Sequence, residues 1–228
     1  MAFGDFIQAA TSVNSTGPVA TIGGAGWTSN ITAGNIISLA VRIGNSAPSI
    51  TVTSDSTPAT FTEAISQVQT ADGHKLYGFH GINQAGGVKP TITITTGVYS
   101  LRACACEFTG SSNTALDKTA SAEGTSTAPA SGATATRTVA AELQIGFGSS
   151  GSTLTYTAGT GFTLRGTQPA GRVALESIVR SSTGTEQADF ALSASDTWAC
   201  LTATYSDSAG GGISVPVAYR NLQHHGIA

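Results

Sequence analysis

"LRACACEFTG", residues 101–110, places two of the chain's three cysteines one residue apart, with apolar side chains at every second position around them. The reading of this stretch decides the fold, because a metal site, a redox pair and a strand interior each imply a different molecule. In a strand Cys104 and Cys106 point to one face with Cα atoms roughly 6.5–7 Å apart, at the limit of a disulfide's span. An odd cysteine count argues against a disulfide framework. Zinc asks for four ligands, usually with a C-x-x-C turn and a spaced histidine pair, and no pair of that spacing follows here. The stretch reads as a buried β-strand, its thiols serving as small hydrophobes. Cys200, in "TWACLTATY", is expected to face the pair across the interior.

The same alternation recurs outward in both directions: "ISLAVRIG" (37–44), "SITVTSD" (49–55), "KLYGFHGI" (75–82), "PTITITTG" (90–97), "ELQIGFG" (142–148), "STLTYTAG" (152–159), "RVALESIVR" (172–180) and "DFALSA" (189–194). Period-2 segments separated by Gly, Ser, Asn and Asp turns predict strands. Leu143, Ile145 and Phe147 share one face, as do Val173, Leu175 and Val179. "TEAISQVQTADG" (62–73) is the nearest approach to a helix and suits a strand equally. Ten or so short strands mean an all-β protein: a two-sheet antiparallel β-sandwich of the jelly-roll or lectin-like kind.

Three segments depart from this rhythm. Residues 1–35 read as an N-terminal arm with a first strand, "DFIQAATSV", and a Gly-rich connection around Trp27. Residues 119–136, "TASAEGTSTAPASGATAT", carry one charge and no large apolar side chain, and read as an exposed loop inside the sandwich domain of residues 36–207. Residues 208–228 form a tail beyond a Gly triplet. Its Val215, Val217, Tyr219, Leu222 and Ile227, with Phe3, Phe6 and Ile7 at the other end, are the candidate interface residues. Pro216 suits an edge or an extended crossing.

Composition narrows function. Hydrophobic residues make up 40% of the chain and charged residues 10%, enough apolar material for a core and too little charge for disorder. A net charge of −3 offers no cationic surface to nucleic acid. No apolar run approaches the roughly 18 residues of a membrane span. "MAFGDFIQAATS" lacks the basic and apolar regions of a signal peptide, so assembly in the cytoplasm is expected.

Chemical motifs are sparse. "GFGSSG" (146–151) matches the phosphate-cradling G-x-G-x-x-G, but a strand follows where a helix N-terminus is required. His74 and His80 lie roughly 20 Å apart along a strand, and His224 and His225 sit in the tail. Glu107, Glu142 and Glu176 interrupt strands, where an outward face or an arginine partner (Arg102, Arg172, Arg180) explains them. A paired-carboxylate site assembled from distant residues has no pointer in the sequence. An exposed Trp27–Trp198 pair would stack on sugar rings, but the strand around Trp198 reads as core. No catalytic residue, cofactor or metal is assigned.

The order of features resembles a β-sandwich module found in tailed-bacteriophage virion proteins and in large bacterial surface proteins. The stretches that carry it are "ISLAVRIG", "ITVTSDS", "GINQAGG", "TITITTG", "LRACACEFTG", "SGATATRTVAAELQIGFG" and "DTWACLTATYSD", covering roughly residues 36–207. The resemblance implies binding or structural work with no catalytic residues. The expected function is that of a non-enzymatic virion protein, a head decoration or tail component, with itself and other capsid or tail proteins as partners. The alternative is a carbohydrate-binding or adhesion module for cell-surface glycans, which calls for exposed aromatics on loop tips.

Overall fold

The computed structural model describes residues 1–46, 48–167 and 171–207. It is an antiparallel β-sandwich whose two principal sheets each carry a smaller sheet on the outer face. The first principal sheet joins β1 (Phe6–Ala9) and β2 (Val13–Ser15) to β9 (Leu101–Phe108), then β4 (Ile36–Ile43), β7 (Lys75–Gly81) and β6 (Thr62–Val68). β3 (Val19–Gly23), β8 (Thr91–Thr95) and β5 (Thr51–Ser54) form its cover. The second principal sheet runs β10 (Thr114–Ser126), β16 (Asp196–Asp207), β11 (Ala141–Ser150), β14 (Val173–Ser181), β13 (Thr163–Thr167). Its cover is the pair β12 (Tyr156–Ala158) and β15 (Phe190–Leu192).

Burial on both faces explains the unbroken apolar runs, which two-sided sheets require. All eight residues of β4 are buried. Ile37, Leu39, Val41 and Ile43 meet the first cover, where Trp27, Ile92 and Ile94 also pack, while Ile36 and Ala40 meet the second principal sheet. β9 divides in the same way. Leu101, Ala103 and Ala105 face the cover; Cys104, Cys106 and Phe108 face Leu143, Phe147 and Leu201 between the sheets.

The cysteines are therefore strand-interior hydrophobes, all free and buried. Cys200 differs from expectation in its position. Ala199 and Leu201 take the inter-sheet face, so Cys200 lies on the opposite face of β16 with Tyr156 and Phe190. Burial pushes the Cys104 thiol up to about 12 and raises the other two well above the usual range. Native protein at pH 8 is expected to leave all three unreacted with a thiol reagent until it unfolds; fast stoichiometric labelling would contradict this packing.

"GFGSSG" is a packing device within β11. Phe147 enters the inter-sheet core against Gly78, where a Cβ would stand 3.0 Å from its ring. On the other face a Cβ on Gly148 would stand 2.9 Å from the Phe190 ring.

The segment expected as a loop, 119–136, is a strand over its first part. β10 pairs with β16 from Thr114↔Asp207 to Ser126↔Asp196. Small side chains are what this strand needs: a Cβ on Gly124 would meet the Trp198 ring at 2.5 Å, and Ser121 Oγ donates to Gln67 of β6 at 2.9 Å where the edges of the two principal sheets meet. Beyond β10 the chain runs beside residues 184–190, with Ser131, Thr134 and Arg137 N–H groups donating to Ala188, Glu186 and Gly184 carbonyls. The Arg137 side chain is held by Glu186 and by the Ala140 and Ser182 carbonyls. Trypsin is expected to spare Arg137 under native conditions; early cleavage there would restore the loop reading.

Residues 1–35 supply three strands to these sheets. Phe3 and Phe6 are half-buried against the inter-sheet core, and Phe6 meets Phe108 edge-on at 5.9 Å under the Arg165 guanidinium.

Candidate functional site

The densest polar constellation joins the two principal sheets at one end of the sandwich. Between β6 and β7 the chain makes a tight turn, with Gly73 at φ 72° and Gln69 Oε1 accepting the Ala71 and Asp72 N–H groups. The turn delivers His74, whose Nδ1 lies 2.5 Å from Asp72 Oδ1 and whose Nε2 lies 2.8 Å from Ser149 Oγ on β11. Asp72 Oδ2 accepts from Thr197 Oγ1 at 3.0 Å and stands 3.8 Å from the Arg42 guanidinium. Burial, helped by the Arg42 charge, lowers His74 to about 4 and keeps it neutral. Burial alone would raise the Asp72 carboxyl, but the His74 N–H, the His74 ring and the Thr197 hydroxyl hold it below its ordinary value.

A neutral imidazole donating Nδ1–H to a carboxylate and accepting a serine proton at Nε2 has the connectivity of a nucleophilic triad. A nucleophile must also reach a carbonyl carbon. Ser149 is 0% exposed, and its Oγ sits between His74 and the Ala199 carbonyl. What the arrangement does here is pin the β6–β7 turn to β11. Removing one member strands a buried polar partner, at a cost of about 1–3 kcal/mol. Arg42 extends the pin, donating from Nε to the Ser150 carbonyl at 2.9 Å, while Tyr156 OH donates to Ser150 Oγ at 2.7 Å. His80, on β7, instead meets Tyr205, 3.2 Å from Nδ1 to the hydroxyl.

The three strand-interrupting glutamates are placed differently from expectation: none faces outward, and all are 0% exposed. Glu107 accepts from Gln8 Nε2 at 2.6 Å, Asn35 Nδ2 at 2.6 Å and the Thr32 N–H at 2.9 Å, tying the segment before β4 onto β9. Amide donors replace the expected arginine. Glu176 accepts from the Gly159 N–H at 2.9 Å through Oε2, while Oε1 has no partner among the described residues. Burial first, and the Asp189 charge in addition, push the Glu176 carboxyl up to about 8. It is a neutral acid near neutrality, packed among the described residues beneath the cover of β12 and β15. Burial, with the Asp117 charge in addition, also raises Glu142. These partners lie far apart in sequence, and only hydrophilic residues inside apolar strands hinted at them.

Of the candidate interface residues, Phe3 and Phe6 pack on the chain's own interior, and Ile7 lines a cavity of about 250 Å³ with Met1, Thr32, Asn35 and Thr109. Val215, Val217, Tyr219, Leu222 and Ile227 lie outside the described residues, as do His224 and His225. Asp207 ends β16 beside this cavity. Its carboxylate accepts from Ser111 Oγ at 2.6 Å, and the neighbouring Gly110 N–H donates to Asn35 of the cavity wall at 3.3 Å. Trp27 and Trp198 are 1% and 8% exposed, and every described Phe and Tyr is buried or half-buried. The chain matches no family model, no curated protein and no solved structure.

Proposed function

We propose that this chain is a non-enzymatic structural protein of a tailed-phage virion, a head decoration or tail component, that works through contacts between subunits. The observation that carries the reading is the cavity rimmed by the exposed Met1 and by Ile7, near which Asp207, the last described residue, is held by Ser111. The sequence beyond Asp207 bears Val215, Val217, Tyr219, Leu222 and Ile227. At about 25 cal/mol per Å², covering such side chains stabilises by several kcal/mol before ordering costs. The order of motifs described above supports the virion setting, and the enclosed Ser149 and Glu176 agree with a scaffold. The glycan-binding alternative draws no support from the aromatics, because none of those described is exposed.

Deleting residues 208–228 is expected to leave the circular dichroism and thermal transition of the sandwich intact while abolishing incorporation into particles, followed by mass spectrometry of purified virions. Normal incorporation of the truncated chain, or absence of the full chain from virions, would refute the proposal.

A further inference from the structure

At the same end of the sandwich, arginines gather without enough acid to balance them. Arg42 of β4 stands directly opposite Arg102 of β9 in the antiparallel ladder. Two residues along, Ala40 and Cys104 face the second principal sheet, so the two arginines share that face. Arg42 reaches across to the Ser150 carbonyl, and the Ser150 N–H donates to the Arg172 carbonyl at 3.3 Å, which brings the start of β14 to the same place. Arg172 is close enough to depress both other guanidiniums: burial and then Arg172 lower Arg102, and Arg172 adds to the burial that lowers Arg42.

Among the described residues only Arg42 of the three has a carboxylate, Asp72 at 3.8 Å. Arg102 donates from Nη1 to the Leu101 carbonyl at 2.9 Å and the Ser15 carbonyl at 3.5 Å, and its buried Nε has no partner among the described residues. The Arg172 side chain makes no hydrogen bond or ion pair with any described residue. His74 is neutral, and Asp196 is engaged by the Ser152 and Thr197 N–H groups. Like charges directly opposite on one sheet face destabilise it, so an anion held between Arg102 and Arg172 would relieve the repulsion.

We propose that Arg102 and Arg172, backed by Arg42, form a binding site for a phosphate group. Two guanidiniums without counter-ions match the roughly −2 charge of a phosphate near neutral pH, and their planar forks suit its paired oxygens. A single carboxylate would leave one of them unneutralised. The site stands apart from the assembly reading above, and either can fail without the other.

The test compares sodium phosphate with sodium chloride at matched ionic strength and pH 7.5, reading the thermal midpoint and isothermal titration of the full chain. Phosphate is expected to raise the midpoint saturably, by several degrees at a large excess over Kd. R172Q removes a side chain that bonds to nothing described, so its fold is retained. It is expected to weaken phosphate binding at least about tenfold and, in chloride, to melt at or above the wild-type temperature because a repulsion is relieved. R172K keeps the charge without the fork and should bind with intermediate affinity. Equal midpoints in phosphate and chloride, or unchanged affinity in R172Q and R172K, would overturn the site. Tighter binding of a nucleoside monophosphate than of inorganic phosphate would assign the site to a phosphate monoester, and equal or weaker binding to the free ion.

Discussion

Unfolding free energy is expected to peak near pH 6.5 and to fall on both sides of it. His74 and His80 are held neutral by burial, each at about 4 against an ordinary 6.5. Below pH 6.5 the unfolded chain takes up these protons and the folded chain does not, so stability declines as pH drops toward 4. Glu176 has the opposite sign: its folded value of about 8 lies above the ordinary 4.5, so its contribution is complete below pH 4.5 and is lost as pH rises through 8. Between pH 4.5 and 6.5 the two histidines outweigh Glu176 by one proton, and Glu142, also raised by burial, acts in the same direction as Glu176. Above 6.5 the histidine contribution is complete and the decline belongs to the buried glutamates. At about 1.36 kcal/mol per unit, His74, His80 and Glu176 together contribute a loss of about 4 kcal/mol on acidification to pH 4, and Glu176 a loss of about 2 on alkalinisation to pH 8. Asp72 and Asp117, both lowered from 3.8, affect only the region below this window.

Urea titrations from pH 4 to 8 measure the curve directly. E176Q is expected to remove the Glu176 share of the alkaline decline and steepen the acid one. A wild-type profile flat between pH 6.5 and 8, or an E176Q profile that falls there as steeply as wild type, would show that Glu176 is ionised in the folded protein.

Phe147→Ala should remove about 3–5 kcal/mol of stability, a large share of the total for a domain. Phe147 is 0% exposed, stands opposite Leu175 on one neighbouring strand and Leu201 on the other, and fills the space that Gly78 leaves empty across the sheets. The complementary change, Gly78→Ala, puts a methyl group 3.0 Å from the ring and is expected to cost about 1–3 kcal/mol by overpacking. Phe147→Leu combined with Gly78→Ala should cost less than the sum of the two single changes, because the smaller side chain vacates the space the methyl group needs. Strict additivity in denaturant unfolding would mean that the two residues do not share that space.

What the sequence determined by itself is the all-β class, the strand at 101–108 and the reading of the cysteines as core. Each rests on period-2 alternation, a local property that neighbouring residues impose on one another through the pleat. Alternation also marked Leu143, Ile145 and Phe147 as one face, because which side chains share a face follows from spacing alone. It could not say what each face meets. The doubled burial of β4, the separation of Cys200 from Cys104 and Cys106, and the use of Gly124 as a seat for Trp198 depend on which sheet lies above and which below. The segment 119–126 misled for that reason: small side chains suit an exposed loop and a strand pressed against tryptophan equally well.

The polar sites were decided by tertiary structure alone. His74 meets Ser149 across 75 residues of chain, and Glu107 meets Gln8 across 99. A buried polar group takes whichever donor or acceptor the packed sheets bring within 3 Å or so. That partner is set by strand order and register, which no local spacing encodes. The gathering of Arg42, Arg102 and Arg172 is legible only once β4 lies beside β9 and the end of β11 beside the start of β14.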